Sequence, residues 1–283
     1  MTEKTLQEML GLEQQIQIMD VGASAINEVP AYKSLLDLGL GHLHAFEGDQ
    51  RQVEKIKHTY GNKCTVYDEF LFDGEVHPLY ICAPESGMTS LFRPKKEALQ
   101  FFNGFDRFGQ VEQTQAVQTV TMNSVTHLPS IDFLKMDIQG AELTALQNGI
   151  EKLKHCVAIQ LEVSYVCLYE QQPSFGQVDV WMRSQGYVPH CFLEVKRWSI
   201  APTVFDNNFR MPGNQLLESD IVYVKDPLNL HALSVLELKK LTALAHYAFK
   251  SMDLCVHLLL ALEARGALVA NTHLNYLNWA NRL

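Results

Sequence analysis

Residues 131–143 read IDFLKMDIQGAEL. Residues 131–136 have the apolar character of a buried strand, Asp137 closes it, and Gly140 and Glu142 open a helix. A carboxylate ending a strand at the carboxyl edge of an open α/β sheet lies where such folds bind ligands. Two upstream points follow the same pattern. In Asp20-Val21-Gly22-Ala23 a strand-like run stops at a glycine, which lets backbone approach a ligand. The helix expected after it offers free N–H groups. Phe46-Glu47 closes the next strand, 27 residues after Asp20. An acid there can accept both hydrogen bonds of a ribose diol. Together the three points outline a nucleotide-type cofactor cleft.

The pattern around them is that of a crossover fold. Residues 2–12 and 30–38 read as helices, 16–21 and 43–46 as strands, 50–60 as an amphipathic helix, and 63–67 as a third strand. This alternation predicts a parallel sheet. Asp73-Gly74 signals a turn, with residues 78–83 as a strand in a hairpin. Residues 85–90 read as a loop and 110–121 as an alternating strand. Leu143, Leu146, Ile150 and Leu153 predict a helix over 140–153. Strands at 157–163, 187–196 and 220–225 and a helix at 175–185 complete the first 226 residues. After Pro227 only helical patterns remain, so residues 227–283 read as a helical C-terminal extension. Its two stripes (Leu241, Leu244, Ala245, Ala248 and Cys255, Leu258, Leu259, Leu262) suit a pair of antiparallel helices akin to one tetratricopeptide unit. One such unit cannot bury its own face, so it should pack on the domain or on a partner, a homo-oligomer included.

Composition narrows the function. The chain has 283 residues, 47% of them apolar, which allows a large core. Its formal charge is −9, with no block of Lys or Arg longer than two, so nothing supplies the clustered cations that nucleic acid requires. Residues 1–17 lack the basic start and apolar stretch of a signal peptide. The longest apolar run, 255–262, is too short for a membrane span. The expectation is a soluble cytoplasmic protein. Six scattered cysteines form no C-x-x-C pair and are expected to be buried, reduced and inert.

Several chemistries are set aside at this level. Gly22 is followed by Ala23, Ser24, Ala25, Ile26 and Asn27, so the dinucleotide fingerprint is absent. His42 and His44 share one strand face, but two ligands without a third do not make a metal site. Ser24 and Ser90 lack a nucleophile elbow. Glu142, in the first turn of a helix, is well explained by the helix dipole. Asp137 is the functional candidate of that run. Glu162 ends a strand at the same sheet edge, as a structural carboxylate or a substrate-side group.

The combination resembles the FkbM-type methyltransferases, a family of class I enzymes that use S-adenosylmethionine. It is carried by residues 131–137, Gly140-Ala141-Glu142 and the late Gly149, with Asp20-Val21-Gly22-Ala23 and Phe46-Glu47. Gly87-Met88-Thr89-Ser90-Leu91, Leu161-Glu162-Val163, and Gln215 with Asp220 add to it, over about residues 15–225. The resemblance implies a Rossmann-like, seven-stranded, mostly parallel sheet. It implies that Gly22 and Ala23 pack against the amino-acid part of S-adenosylmethionine, with Asp20, Ser24 and Gly48 among the cofactor contacts. Glu47 would hold the ribose, Glu69 and Phe70 would flank the adenine, and Asp137 would face the sulfonium or substrate. The implied reaction is methyl transfer to a hydroxyl of a sugar, glycolipid or natural product, with Asp137 first and Glu162 second as proton acceptor. The chain departs from the family pattern at three places. Ile26 and Asn27 stand where many members carry a second glycine, Gln139 where many carry Glu, and Gly48 where many carry Pro. Two rival readings are a non-catalytic interaction module and a sugar-nucleotide enzyme that uses Glu47.

Overall fold

Strand and helix alternate along the first third of the chain. Helix α1 (Leu6–Leu10), β1 (Ile16–Val21), α2 (Lys33–Asp37), β2 (Gly41–Phe46), α3 (Gln50–Tyr60) and β3 (Cys64–Tyr67) follow one another. Next come β4 (Phe70–Leu71), β5 (Val76–Cys82), α4 (Lys96–Phe101), α5 (Phe105–Phe108), β6 (Val111–Val120), β7 (Phe133–Met136) and α6 (Glu142–Gln147). The remainder is β8 (Ala158–Ser164), α7 (Phe175–Ser184), β9 (Tyr187–Trp198), β10 (Gln215–Lys225), α8 (Val235–Tyr247), α9 (Met252–Ala264) and α10 (Thr272–Ala280). This computed structural model describes residues 5–23, 29–48, 50–83 and 86–281.

The main sheet has seven strands in the order β3-β2-β1-β7-β8-β10-β9. Strands β3, β2, β1, β7 and β8 pair in parallel, and β10 runs antiparallel to both its neighbours. The chain order reverses between β1 and β7, which opens a crevice at the carboxyl ends of these strands. A smaller sheet, β4-β6-β5, lies beside that edge in sequence. The turn at Asp73-Gly74 corrects the hairpin reading. Its flanking strands β4 and β5 do not pair with each other, because both pair with β6 between them. Thr119 of β6 fixes the turn, its Oγ accepting from Gly74 N (3.1 Å) and donating to Glu75 O (2.7 Å).

Other boundaries also differ from the sequence reading. Helix α6 stops at Gln147 rather than running to 153, where the Asn148 amide donates to Thr144 O and Gly149 lies against Met122 with no room for a Cβ. Helices α4 and α5 were not foreseen, since each is under two turns and Gly104 separates them. Among the described residues the extension holds three α-helices rather than two.

Period-two alternation puts one residue set of each strand on each face. On one face Ile18, Phe133, Ala158 and Val224 align across β1, β7, β8 and β10. They join one core cluster with Leu238, Leu241 and Leu244 of α8 and Leu258 and Leu262 of α9, all fully buried. Each buried leucine contributes roughly 1.5–3 kcal/mol. On the other face Met19, Leu134, Met136, Ile159 and Leu161 meet Leu146 of α6 and Val178 and Met182 of α7. The C-terminal helices are therefore one of the two layers that close the sheet. Both expected stripes, Leu241 to Ala248 and Cys255 to Leu262, are buried in that layer. No helix among the described residues is long and apolar enough to cross a membrane.

A buried ion pair fixes α8 to the sheet. Lys240 Nζ lies 2.7 Å from Asp132 Oδ2, which also accepts from Gln17 N of β1 at 2.8 Å. Both side chains are buried. Ser234 and Glu237 form a capping box that starts α8 at this point. Replacing Lys240 by Met leaves a buried carboxylate without its cation, which should cost about 3–5 kcal/mol in denaturant unfolding. A loss under about 1 kcal/mol would show that the pair does not hold the helix in place.

Candidate functional site

A cleft of about 1400 Å³ opens at the carboxyl ends of β1, β2, β7 and β8. That exceeds the roughly 300–1,000 Å³ of a typical single-ligand site, so it has room for a cofactor and a second molecule. On the β1–β2–β3 side, Gly22 has φ +77°, and a Cβ there would meet Asp137 O at 2.0 Å. Gly22 N donates to Phe46 O at 3.1 Å, closing the β1 turn against β2. Ala23 lines the same wall. Ser24, with Ile26 and Asn27, lies outside the described residues.

Asp20 lines the cleft but is engaged. Tyr32 donates to its Oδ2 at 2.5 Å, and Lys135 Nζ lies 3.4 Å from Oδ1. Burial alone would lower the Lys135 ammonium, yet Asp20, Asp137 and Asp220 outweigh it and hold that lysine above its ordinary pKa. Glu47 and Gly48 follow β2 on the cleft wall, and Glu47 N donates to Tyr67 O at 3.1 Å. The Phe70 ring covers Gly48 so closely that a Cβ would sit 2.2 Å from it. A bulkier residue at 48 would have to displace the ring, which explains the departure from proline. Glu69 lines the wall beside Phe70, and its Oε2 is buried with no hydrogen-bond partner. A buried acceptor of that kind calls for a donor.

Across the reversal point the groups change. Asp137 follows β7, and Glu162 sits two residues beyond Gln160 on β8. Gln139 joins them: its Nε2 donates to Asp137 Oδ1 (2.8 Å) and to Glu162 Oε2 (2.9 Å). Its own Oε1 accepts from the Tyr169 hydroxyl at 2.7 Å, and its carbonyl accepts from Ser90 Oγ at 2.8 Å. Gln139 holds φ +55°, a conformation that costs a non-glycine residue on the order of 1–3 kcal/mol. Such strain persists only where surrounding bonds fix it. Lys196 of β9 reaches Glu218 of β10 at 2.9 Å and Glu162 at 3.5 Å. Burial, then the Asp137 and Glu218 charges, push the Glu162 carboxyl well above its usual range, against the pull of Lys196. Burial raises Glu218 as well.

Glu142 does not line the cleft. It is buried, and its Oε1 accepts from Ile138 N (2.9 Å) and Gly140 N (3.2 Å), pinning the turn that carries Gln139. His42 bonds Thr65, and His44 bonds Tyr67 and Gln17. Burial lowers the His44 pKa to about 4. Among the described residues, no group of three or more His, Cys, Asp or Glu is arranged to hold a metal ion. All six cysteines are free thiols, with Cys64, Cys167 and Cys191 only partly buried.

The structure thus brings Gly22, Ala23, Glu47, Gly48, Glu69, Phe70, Asp137 and Glu162 to one cleft. Sequence reasoning missed Gln139 as a bridge and overlooked Gln160, Lys196 and Glu218. For Gln160 the signal was alternation: Phe133, Lys135 and Asp137 share a face, as do Ala158, Gln160 and Glu162. In both strands that face turns from apolar to polar toward the carboxyl end.

Strand order, one antiparallel strand and a cleft at the β1/β7 reversal are those of the Rossmann-like fold of class I methyltransferases, which use S-adenosylmethionine. The sequence profile of the methyltransferase FkbM domain matches residues 20–189, and the chain belongs to that family. No curated protein matches the chain. Solved structures similar to it include precorrin-6y C5,15-methyltransferase from Geobacter metallireducens GS-15, with 13% identity and TM-score 0.37, covering 78% of this chain and 87% of that one. Another is magnesium protoporphyrin IX methyltransferase from Synechocystis PCC 6803 with bound SAM, with 10% identity and TM-score 0.38, covering 76% and 73%.

The cofactor fits what is present. Gly22 leaves backbone bare at the β1 turn, and the unpartnered Glu69 oxygen offers an acceptor for an adenine or ribose donor. Gly22→Ala should abolish S-adenosylhomocysteine binding in calorimetry, because Asp137 O must move; retained affinity would refute the close approach. Glu142 gives a second test. Burial raises its folded pKa to about 7, against roughly 4.3 when unfolded, so the folded state binds the extra proton. That contribution is full below the unfolded pKa and is lost as pH rises through about 7. Glu142→Gln keeps an acceptor oxygen without the charge. Its stability relative to the natural chain should therefore improve by on the order of 2 kcal/mol between pH 5 and 8 in thermal melts. A pH-independent difference would contradict this.

Proposed function

We propose that the chain transfers a methyl group to a hydroxyl of a sugar, glycolipid or natural-product acceptor, with Glu162 as the proton acceptor. The observation that carries this is the Glu162 carboxyl in the cleft beyond Asp137, its side chain only 10% exposed and held by Gln139 at 2.9 Å, and raised by burial and by neighbouring acids. A carboxylate tuned upward in this way suits proton removal from an alcohol near neutral pH. S-adenosylmethionine, when bound, supplies a methyl group already activated on a sulfonium. The residues of the chain then have to bind, orient and take a proton. Glu47 and Glu69 hold the nucleoside end, and Gly22 and Ala23 accommodate the amino-acid end. Asp137, fixed by Gln139, faces the junction between donor and acceptor. Asp137 and Glu162 are tied through one amide nitrogen, so the acceptor hydroxyl is aligned between fixed groups, which supports an in-line displacement.

Charge argues against the sugar-nucleotide alternative. Eight acidic residues and three lysines line the cleft, with no arginine among the described lining residues. A diphosphate would meet a strongly negative wall. The reading of a non-catalytic module is less well supported, since buried carboxylates with raised pKa values are costly to keep without a use.

Two measurements test the proposal. Glu47→Ala should weaken S-adenosylhomocysteine binding about 10- to 100-fold, the loss of a charged diol contact of roughly 1.5–3 kcal/mol. Unchanged affinity would remove Glu47 from the ribose. With a labelled methyl donor and a panel of glycans and alcohols, the product should carry an O-methyl group. Glu162→Gln should then cut turnover about 100-fold or more while leaving S-adenosylhomocysteine affinity within about threefold. In the natural chain the rate should fall as pH drops through the raised Glu162 pKa. Full activity in Glu162→Gln would move the base elsewhere.

A further inference from the structure

The cleft beyond Asp137 holds groups that the proposed transfer leaves without a role. In register, Asp220 of β10 lies opposite Glu162 of β8 and Glu194 of β9, and Glu218 lies opposite Lys196. Donor contacts belong to the β1–β2–β3 half of the sheet, and these residues stand on the other half. Nearly every polar atom they present is a hydrogen-bond acceptor. The cation ion-paired among them is saturated: Lys196 Nζ is 2.9 Å from Glu218, 3.5 Å from Glu162 and 3.9 Å from Glu194, while Lys135, whose charge also reaches Asp220, is paired with Asp20 at 3.4 Å. Gln160 supplies an independent sign. It is 5% exposed and lines the cleft. Its amide N–H2 faces Asp220, and its Oε1 is buried with no hydrogen-bond partner. A buried amide oxygen of that kind is costly until a ligand brings it a donor. The walls above are apolar, with Leu79, Ile81 and Val117 on one side and Phe105, Phe108 and Leu193 on others.

We propose that this half of the cleft binds an acceptor carrying an ammonium group beside its hydroxyls, an amino sugar or related amino alcohol. The ammonium lies against Glu194 and Glu218, and a neighbouring N–H or O–H reaches Gln160 Oε1. The proposal rests on the methyltransferase reading and narrows its acceptor. A neutral polyol brings donors but leaves three carboxylates around one lysine. An ammonium brings three donors and the missing positive charge. It is the handle by which the acceptor is held, and the methyl group goes to a hydroxyl near Glu162.

The test is a calorimetric titration with D-glucosamine, N-acetyl-D-glucosamine and D-glucose, run with and without S-adenosylhomocysteine. D-glucosamine should bind about tenfold or more tightly than the other two. Glu194→Gln and Glu218→Gln should each remove most of that preference. The Glu194 side chain is 48% exposed, so its variant does not depend on refolding a core. Two results overturn the proposal: no preference for glucosamine in the natural chain, or a preference that survives both substitutions. Failure to take S-adenosylhomocysteine refutes the donor reading and is scored separately, because the sugar titrations without it still show or lack the preference.

Discussion

One amide nitrogen lies between the two carboxylates on which the site depends. Gln139 Nε2 has two hydrogens, and it gives one to Asp137 and one to Glu162. Two carboxylates this near each other repel, and the donor they share offsets that repulsion. A glutamate at 139 would add a third negative charge and remove that donor. The amide orientation is itself fixed, since the Tyr169 hydroxyl donates to Gln139 Oε1, and burial keeps that phenol protonated. Ser90 then clamps the backbone carbonyl, which ties residues 86–91 to the same turn. These bonds hold the left-handed backbone of Gln139. The turn after β7, the end of β8 and the Ser90 loop therefore form one unit.

The sheet explains why these groups collect at this place. Along β1 the residue facing the C-terminal helices changes from Ile18 to Asp20. Along β7 it changes from Phe133 to Lys135 and Asp137, and along β8 from Ala158 to Gln160 and Glu162. β10 runs the other way, so Val224 and Val222 lie in the core cluster and Asp220 and Glu218 line the cleft. Register aligns these changes into rows, with Asp20, Lys135 and Gln160 side by side and Glu162 beside Asp220. An apolar row can be covered by leucines of α8 and α9. A row of carboxylates cannot, because leucine offers nothing to replace water. The same face is thus core at one end and cleft at the other.

How much of this was legible follows from what each signal depends on. The strands were legible because alternation and apolar content are local, and β1 and α3 match the sequence reading in full. Gly22, Glu47 and Asp137 were legible because strand-ending glycines and acids have a known place in crossover folds. The connections were not. Asp73-Gly74 looks like a hairpin turn, yet a strand nearly 40 residues later inserts between its flanks. Asp137 was ranked over Glu162 on its place at the carboxyl edge of the sheet and on the family resemblance. Glu218, in the strand that pairs with β8, and Lys196, one strand further out in β9, come near Glu162 through pairings that no local pattern reveals. Gln139 was noticed as a missing carboxylate. Its use as a bridge depends on Tyr169 and Ser90, which are distant in sequence.

The C-terminal helices show why stability and site are coupled in this chain. They bury the apolar row through leucines, and they are fixed to the sheet by Lys240, whose partner Asp132 stands just before β7. Asp132 also accepts from Gln17 N at the start of β1. One ion pair therefore sets the entry of the two strands whose exits carry Asp20, Gly22 and Asp137. Strands are stiff over four to six residues, and β1 and β7 are locked in parallel register. A shift where they enter the sheet is transmitted to where they leave it. Gly22 has no tolerance for such a shift, since its backbone already rests on Asp137 O. The helices and the cleft thus share one structural element, the register of β1 against β7.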